Sequence, residues 1–266
     1  MKNYNGKAIY QPKGKAAEYA KWACNFYVGC SNGCTYCYLK KGRGAKILGG
    51  DKPTLKKCFK DEKHAIEVFN KELQANLPEL QKHGLFFSFT TDPMLPETIG
   101  LTEYAIDMAT DFRVPVKILT KRADWIDCLL PRLPVNMHNM YAFGFTLTGH
   151  DELELCASTN QERIEAMKKL HDAGFKTFAS IEPIIDFKSS FKMVQQTKGF
   201  CDLYKVGLES GKKYDIIDAQ TFVERLSEIA EEPKIYLKES LQKLTRYAPG
   251  MLGENFVSKD YNIFNQ

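Results

Sequence analysis

Three thiols stand close together in Cys30-Ser31-Asn32-Gly33-Cys34-Thr35-Tyr36-Cys37, spaced Cys-x3-Cys-x2-Cys on one short stretch. Iron takes thiolate ligands, and a cubane iron-sulfur cluster wants four, so three cysteines leave one iron open to a ligand that is not protein. A structural zinc site would more naturally draw on two Cys-x2-Cys or Cys/His pairs, and the next histidine downstream is His64. Disulfides are the remaining use of eight cysteines, but a chain of 266 residues does not need staples. The start, Met1-Lys2-Asn3-Tyr4-Asn5-Gly6, lacks the apolar core of a secretion signal. The expectation is a cytoplasmic protein with reduced thiols, which suits an oxygen-sensitive cluster.

Such a loop needs a rigid body to hold it. Hydrophobic residues make up 44% and charged residues 26%, a balance that suits one globular domain with a sizeable core. No apolar run approaches the roughly 18 residues of a membrane span. Net charge is +4 and uneven: Lys40, Lys41, Arg43, Lys46, Lys52, Lys56, Lys57 and Lys60 face one acid, Asp51, a local +7 that leaves −3 for the remainder. A basic segment directly after the cysteine loop can meet phosphate or serve as an ordinary solvated face.

Periodicity supplies the scaffold. Residues 1–23 read as an irregular lead-in, with a short helical piece near Lys15 to Lys21 that closes the near edge of a barrel. Cys24 to Val28 reads as a strand delivering the loop, where Gly29 and Gly33 permit tight backbone. A helix over Lys63 to Leu77 follows, with Pro78 as its stop. Strands are then expected at Leu85 to Phe89, Val116 to Leu119, Tyr141 to Leu147, Lys176 to Ile181, Leu203 to Val206 and Lys234 to Leu237. Helices over Leu101 to Thr110, Arg122 to Leu130, Gln161 to Ala173, Lys188 to Gln196 and Thr221 to Glu231 alternate with them. Such alternation predicts a parallel α/β fold. A full eight-fold barrel takes about 250 residues, so six or seven units with a long lead-in and tail predict a partial one. The division expected is one domain: lead-in 1–23, partial barrel 24–240, C-terminal helix and tail 241–266.

The cysteine loop followed by Tyr38 and Leu39 resembles that of the radical S-adenosylmethionine (SAM) superfamily, in its spore photoproduct lyase-like branch. Tyr10-Gln11-Pro12-Lys13-Gly14 through Glu18-Tyr19, and Asn25-Phe26-Tyr27-Val28-Gly29-Cys30, are similar to the lead-in of lyase-like members. Ser180-Ile181-Glu182-Pro183 and Gly207-Leu208-Glu209-Ser210-Gly211 are similar to segments of phage-associated radical SAM proteins. The resemblance covers about residues 8 to 240, and the cysteine motif is its most specific part. It implies a partial (β/α)6 TIM-like barrel, one 4Fe-4S cluster held by Cys30, Cys34 and Cys37, and SAM on the open iron. It also implies reductive cleavage of SAM to a 5′-deoxyadenosyl radical that takes hydrogen from a substrate, with flavodoxin or ferredoxin as electron donor to a monomeric enzyme.

Carried over residue by residue, the resemblance places Thr91 and Asp92 at the amino end of SAM and Lys121 on its carboxylate. Thr146 contacts the methionine end or ribose, Tyr36 approaches adenine, and Tyr38 matches a tyrosine linked to hydrogen transfer. Each has a plainer reading: Asp92 before Pro93 as a turn former, Lys121 as a surface lysine, Thr146 as an ordinary strand residue, the tyrosines as packing. Glu182, Glu209 and Lys238 each end an apolar strand, where a lone charge is costly unless it lines a pocket or pairs. Glu182 is assigned to cofactor binding, and Glu209 and Lys238 to catalysis with Tyr38; a structural ion pair at the barrel mouth is the alternative. Cys24, Cys58, Cys128, Cys156 and Cys201 are isolated in sequence, and most read as small core residues. His150, after Gly149, is a further pocket candidate. The substrate expected is a nucleic acid or nucleotide carrying phosphate near the loop 40–60. Modification of a peptide or small molecule, or a non-catalytic iron-sulfur sensor, stands as the alternative.

Overall fold

The computed structural model describes residues 4–42, 44–229 and 233–265. Arg43, Glu231 and the first three residues of the lead-in, all used above, lie outside them. The strands are β1 (Ile9–Tyr10), β2 (Ala23–Cys24), β3 (Tyr27–Val28), β4 (Thr54–Leu55), β5 (Leu85–Phe87), β6 (Val116–Thr120), β7 (Tyr141–Thr146), β8 (Lys176–Ile184), β9 (Leu203–Leu208) and β10 (Lys234–Leu237). The helices are α1 (Ala45–Leu48), α2 (Glu62–Ala75), α3 (Leu77–His83), α4 (Ile99–Asp111), α5 (Ile126–Leu129), α6 (Asn160–Asp172), α7 (Phe187–Thr197), α8 (Ile216–Ser227) and α9 (Glu239–Thr245). One eight-stranded sheet runs in the order β1-β2-β5-β6-β7-β8-β9-β10, parallel throughout except for β1. β3 and β4 form a separate antiparallel pair.

Side chains alternate across the sheet, and so each strand feeds two apolar layers. Phe87, Ile118, Tyr141, Phe143, Ile181, Val206 and Leu237 pack outward against the helices. Ala23, Phe86, Ala142, Phe178 and Leu203 pack on the concave side with Tyr19 of the lead-in and Ile263 of the tail. Gly144 is needed there, because a Cβ would fall 2.2 Å from Cζ of Phe178. No ladder joins β10 to β1 among the described residues. A 3-10 turn over Gly14–Glu18 fills part of the seam, and the tail adds a bridge from Phe256 to Ile235 on the outer edge of β10.

Local chemistry moved several boundaries. The strand expected over Cys24 to Val28 is split, because Asn25 leaves the ladder to donate to the Tyr10 hydroxyl (2.8 Å) and accept from Phe89 N (2.8 Å). The helix expected over Arg122 to Leu130 is helical only at α5. Its start is held as a turn by Arg122 on Asp124 and the Cys156 carbonyl, and by the Trp125 indole on the Arg122 carbonyl (2.8 Å). Pro78 does not end a helix but sits in the first turn of α3.

Candidate functional site

At the C-terminal ends of the strands a cleft opens. Of the site residues named from the sequence, all but His150 line it: Cys30, Cys34 and Cys37; Tyr36, Tyr38, Thr91 and Asp92; Lys121, Thr146 and Glu182; Glu209 and Lys238.

The cysteine loop is seated by backbone. Cys30 N donates to the Gly50 carbonyl (3.0 Å), and Gly29, at φ +85°, passes so close to Lys52 that a Cβ would meet its carbonyl at 2.4 Å. On the far side Thr35 N donates to the Leu153 carbonyl (2.9 Å) and Cys156 N to the Asn32 carbonyl (3.1 Å). All eight cysteines are free thiols. Burial pushes Cys30 up to about 12, with the Asp92 charge adding, and raises Cys34 as well. Thiols held protonated in this way ionise when a metal takes the sulfur. Among the described residues no three His, Cys, Asp or Glu side chains are gathered tightly enough for a single ion. A cubane, which takes each thiolate on a different iron, does not require that.

Asp92 ties this loop to the sheet. Its carboxylate accepts from Asn32 Nδ2 (2.7 Å), Thr120 Oγ1 (2.6 Å), Lys121 N (2.7 Å) and Met94 N (3.0 Å). A carboxylate has about four acceptor positions, and all are taken by protein. A contact to a ligand's amino group would displace one of these donors. Two neighbouring atoms are in the opposite condition: Asn32 Oδ1 and Thr91 Oγ1 are buried in this wall with no partner among the described residues. Buried polar atoms are ordinarily paired, so orphans lining a cleft fit a polar ligand.

Lys121 stands beside them with its ammonium 5.6 Å from the centre of the Tyr36 ring. Burial works against its charge, but Cys34, Glu154 and Asp92 outweigh this and raise its pKa, despite repulsion from Arg163. The Tyr36 hydroxyl donates to Glu154, which is ion-paired in the interior with the fully buried Arg163. Arg163 also donates to the Thr146 carbonyl (2.5 Å), so one buried cation fixes the end of β7 and the backing of Tyr36.

The facing wall comes from β8, β9, β10 and the lead-in. Between Ile181 and Ile184 the register of β8 slips against β9, and the irregularity carries Glu182 and Pro183 into the cleft. Lys238, 1% exposed, donates to Glu182 Oε2 at 2.6 Å. The Tyr19 hydroxyl reaches the same oxygen at 2.8 Å and Ser180 Oγ at 2.6 Å. Glu209 is paired with Lys41 (2.9 Å) at the mouth, where Tyr38 is 61% exposed and donates to the Phe89 carbonyl. Lys40 is likewise occupied, by Asp51 at 2.5 Å. His150 does not line the cleft: it lies between Glu152 and Asp186.

No protein-family model matches the chain. An uncharacterized protein of Methanocaldococcus jannaschii is 27% identical over 199 residues, covering 70% of this chain and 69% of that one. A spore photoproduct lyase with a tyrosine-to-phenylalanine change superposes with a TM-score of 0.57 at 15% identity, over 91% of this chain and 77% of its own. Streptococcus suis SuiB bound to S-adenosylmethionine gives 0.52 at 12% identity, over 84% of this chain and 51% of its own. The fold is that of the solved spore photoproduct lyase and SuiB structures. At such identities the likeness establishes the architecture alone.

Within this fold, several residues that build the cleft escaped the sequence reading: Asn32, Thr120, Glu154, Arg163 and Tyr19. Asn32, inside the cysteine motif, was the one with a signal, since a side-chain amide in a tight loop is a ready tether. Arg163 had none; it stands on α6 among Ile164, Met167 and Leu170, where a charge reads as solvated.

Proposed function

We propose that this chain is a radical SAM enzyme. Cys30, Cys34 and Cys37 hold a 4Fe-4S cluster whose fourth iron takes S-adenosylmethionine. The observation that carries this is the convergence, on one cleft, of three free thiols with the orphaned Asn32 Oδ1 and Thr91 Oγ1 and the Lys121 ammonium. When bound, cluster and SAM together supply a one-electron cleavage of the sulfonium and a carbon radical for hydrogen abstraction. The chain's own residues bind and orient. Thr91 and Asn32 meet the amino group, Lys121 neutralises the carboxylate, Thr146 and Tyr36 bound the nucleoside, and Asp92 fixes the frame in which these stand. Glu182, Glu209, Lys238 and Tyr38 face the opposite side, where substrate enters.

The substrate class favoured is a nucleic acid or nucleotide. The solved lyase relative is bound to a dinucleoside spore photoproduct, and Lys46, Lys52, Lys57 and Lys60 of the basic segment have no ion pair among the described residues to compete with phosphate. The electron donor expected is a flavodoxin or ferredoxin, and among the described residues no helix is long and apolar enough to cross a membrane. The decisive experiment adds SAM and dithionite to the anaerobically reconstituted protein and measures 5′-deoxyadenosine and methionine by liquid chromatography. Formation of both in the wild type and neither in Cys34→Ala is expected. An intact cluster that leaves SAM uncleaved would make the chain an iron-sulfur sensor or binding protein and defeat the proposal.

A further inference from the structure

The seam of the sheet holds a second cavity with a solvent-facing mouth, walled from the cleft by the turn at Gly14–Glu18. Its lining combines that turn with the start of α9, the end of α3, Lys117 on the concave side of β6, and the tail from Lys259 to Asn262. Cations dominate. Of the acids present, Asp260 lies 3.6 Å from Lys21, Glu239 lies 3.5 Å from Lys243, and Glu18 is engaged by the Tyr236 hydroxyl (2.9 Å) and Glu239 N (2.8 Å). Nothing is left for Lys117 or Lys259: no carboxylate pairs with either among the described residues.

The cations repel one another. His83 is held below the usual imidazole range by burial and then by Lys21, Lys82 and Lys117, which outweigh Glu79. Lys205, deeper in the barrel, is depressed by burial and by Lys117 and Lys238. Burial alone pulls Lys117 down to about 8, and its ammonium lies 5.3 Å from the centre of the Phe264 ring. Ser240 Oγ, on the same lining, is buried with no partner among the described residues. A cluster of like charges and an orphaned hydroxyl around one cavity is relieved by an anion, and compact polyanions of phosphate type satisfy several lysines at once.

We propose that the seam cavity is a second binding site, for a phosphate-type polyanion held by Lys117, Lys21 and Lys259 with the Ser240 hydroxyl donating. It is independent of the cleft's function, since none of these four residues lines the cleft. The test is calorimetric titration of the full-length, anaerobically purified protein with sodium pyrophosphate at constant ionic strength. Citrate serves as the carboxylate arm, and Lys41→Ala and Lys121→Met as controls in the cleft. Saturable one-to-one binding is expected, weakened about tenfold in Lys117→Met and about threefold in the exposed-site variant Lys259→Ala, with both controls at wild-type affinity. Three results would overturn the proposal: no saturable pyrophosphate binding, wild-type affinity in both Lys117→Met and Lys259→Ala, or loss confined to the cleft controls. Citrate binding as tightly as pyrophosphate would overturn the phosphate assignment.

Discussion

The two walls of the cleft are built on opposite principles. On the cluster side, Asp92 is saturated while Asn32 Oδ1, Thr91 Oγ1 and the Lys121 ammonium have no hydrogen-bond partner among the described residues. On the other side Glu182, Lys238, Tyr19 and Ser180 satisfy one another, and Lys41 satisfies Glu209. Unpaired polar atoms are costly and persist where a ligand pairs them, whereas a closed network stabilises the fold and holds its shape. The difference suggests that binding information lies on the first wall, and that Glu182 and Lys238 act toward substrate through the shape they maintain.

The largest effect expected is on iron. Replacing Cys30, Cys34 or Cys37 with Ala should remove a reconstituted cluster of about four irons, read by iron and sulfide content and by the visible spectrum. Cys156→Ala should not, although Cys156 Sγ would lie 3.4 Å from a Cβ on Gly33 inside the loop. Equal iron loss in Cys156→Ala would extend the cluster wall beyond its three cysteines; bound zinc without iron would sink the iron reading itself.

Next is the stability of the closed wall. Lys238→Met strands Glu182 in a poorly hydrated place, which typically costs about 3 to 5 kcal/mol. Urea denaturation should show that loss, and the double variant Glu182→Gln with Lys238→Met should recover part of it, because neither partner then remains charged. Recovery with unchanged SAM affinity supports the comparison. If Lys238→Met is as stable as wild type but binds SAM poorly, the two walls have been assigned the wrong way round.

What the sequence could and could not convey follows the same division. The cysteine motif is local, and Lys234–Leu237 and the helix ending near Gly174 could be placed because strand pattern, cap and positive-φ glycine lie within a few residues of one another. The capping box of Thr159 with Glu162 sets the start of α6 in the same local way. Asp92 was legible as a strand-end carboxylate, but its partners are 60 and 28 residues away at Asn32 and Thr120, and nothing in a single chain announces such pairings. The Glu154 and Arg163 pair, and the insertion of Tyr19 between Ser180 and Glu182, are likewise products of tertiary packing. Strand positions carried over; saturation of a side chain by its neighbours did not.

A smaller effect is expected on the open wall. Lys121→Met keeps the aliphatic stem near Tyr36 and removes the charge, and Thr91→Val removes an orphaned hydroxyl at constant shape. Charge-assisted contacts contribute about 1.5 to 3 kcal/mol, so Lys121→Met should weaken SAM binding by roughly ten- to a hundred-fold, and Thr91→Val by less. Equilibrium dialysis with labelled SAM on the iron-loaded protein measures this directly. Wild-type affinity in both variants would leave the orphaned atoms without a ligand and remove the basis of the comparison.

The smallest effect concerns the latch that joins the walls outside the cleft. His150 follows β7 and donates or accepts through Nε2 to Asp186 (2.5 Å), the residue that caps α7 just after β8, while Nδ1 meets Glu152 at 2.6 Å. Burial alone would lower its pKa, but the hydrogen bonds and charges of Glu152 and Asp186 win and raise it. Both carboxylates are lowered in return; at Asp186 partial burial opposes this and is outweighed by hydrogen bonds from Ser189 and His150. A raised histidine favours the folded state while protonated: its contribution is complete below the unfolded pKa of about 6.5 and fades as pH rises through the higher folded value. Glu152 and Asp186 set the acid limit, since their lowered values mean that stability is lost as pH falls through them. Glu152 is 67% and Asp186 44% solvent-facing, so screening keeps the contribution of the latch small. The melting temperature of His150→Gln should therefore fall below wild type near pH 6 and converge with it well above neutrality. A gap that is constant across that range would mean that His150 joins the two walls by packing alone, with no share of the charge.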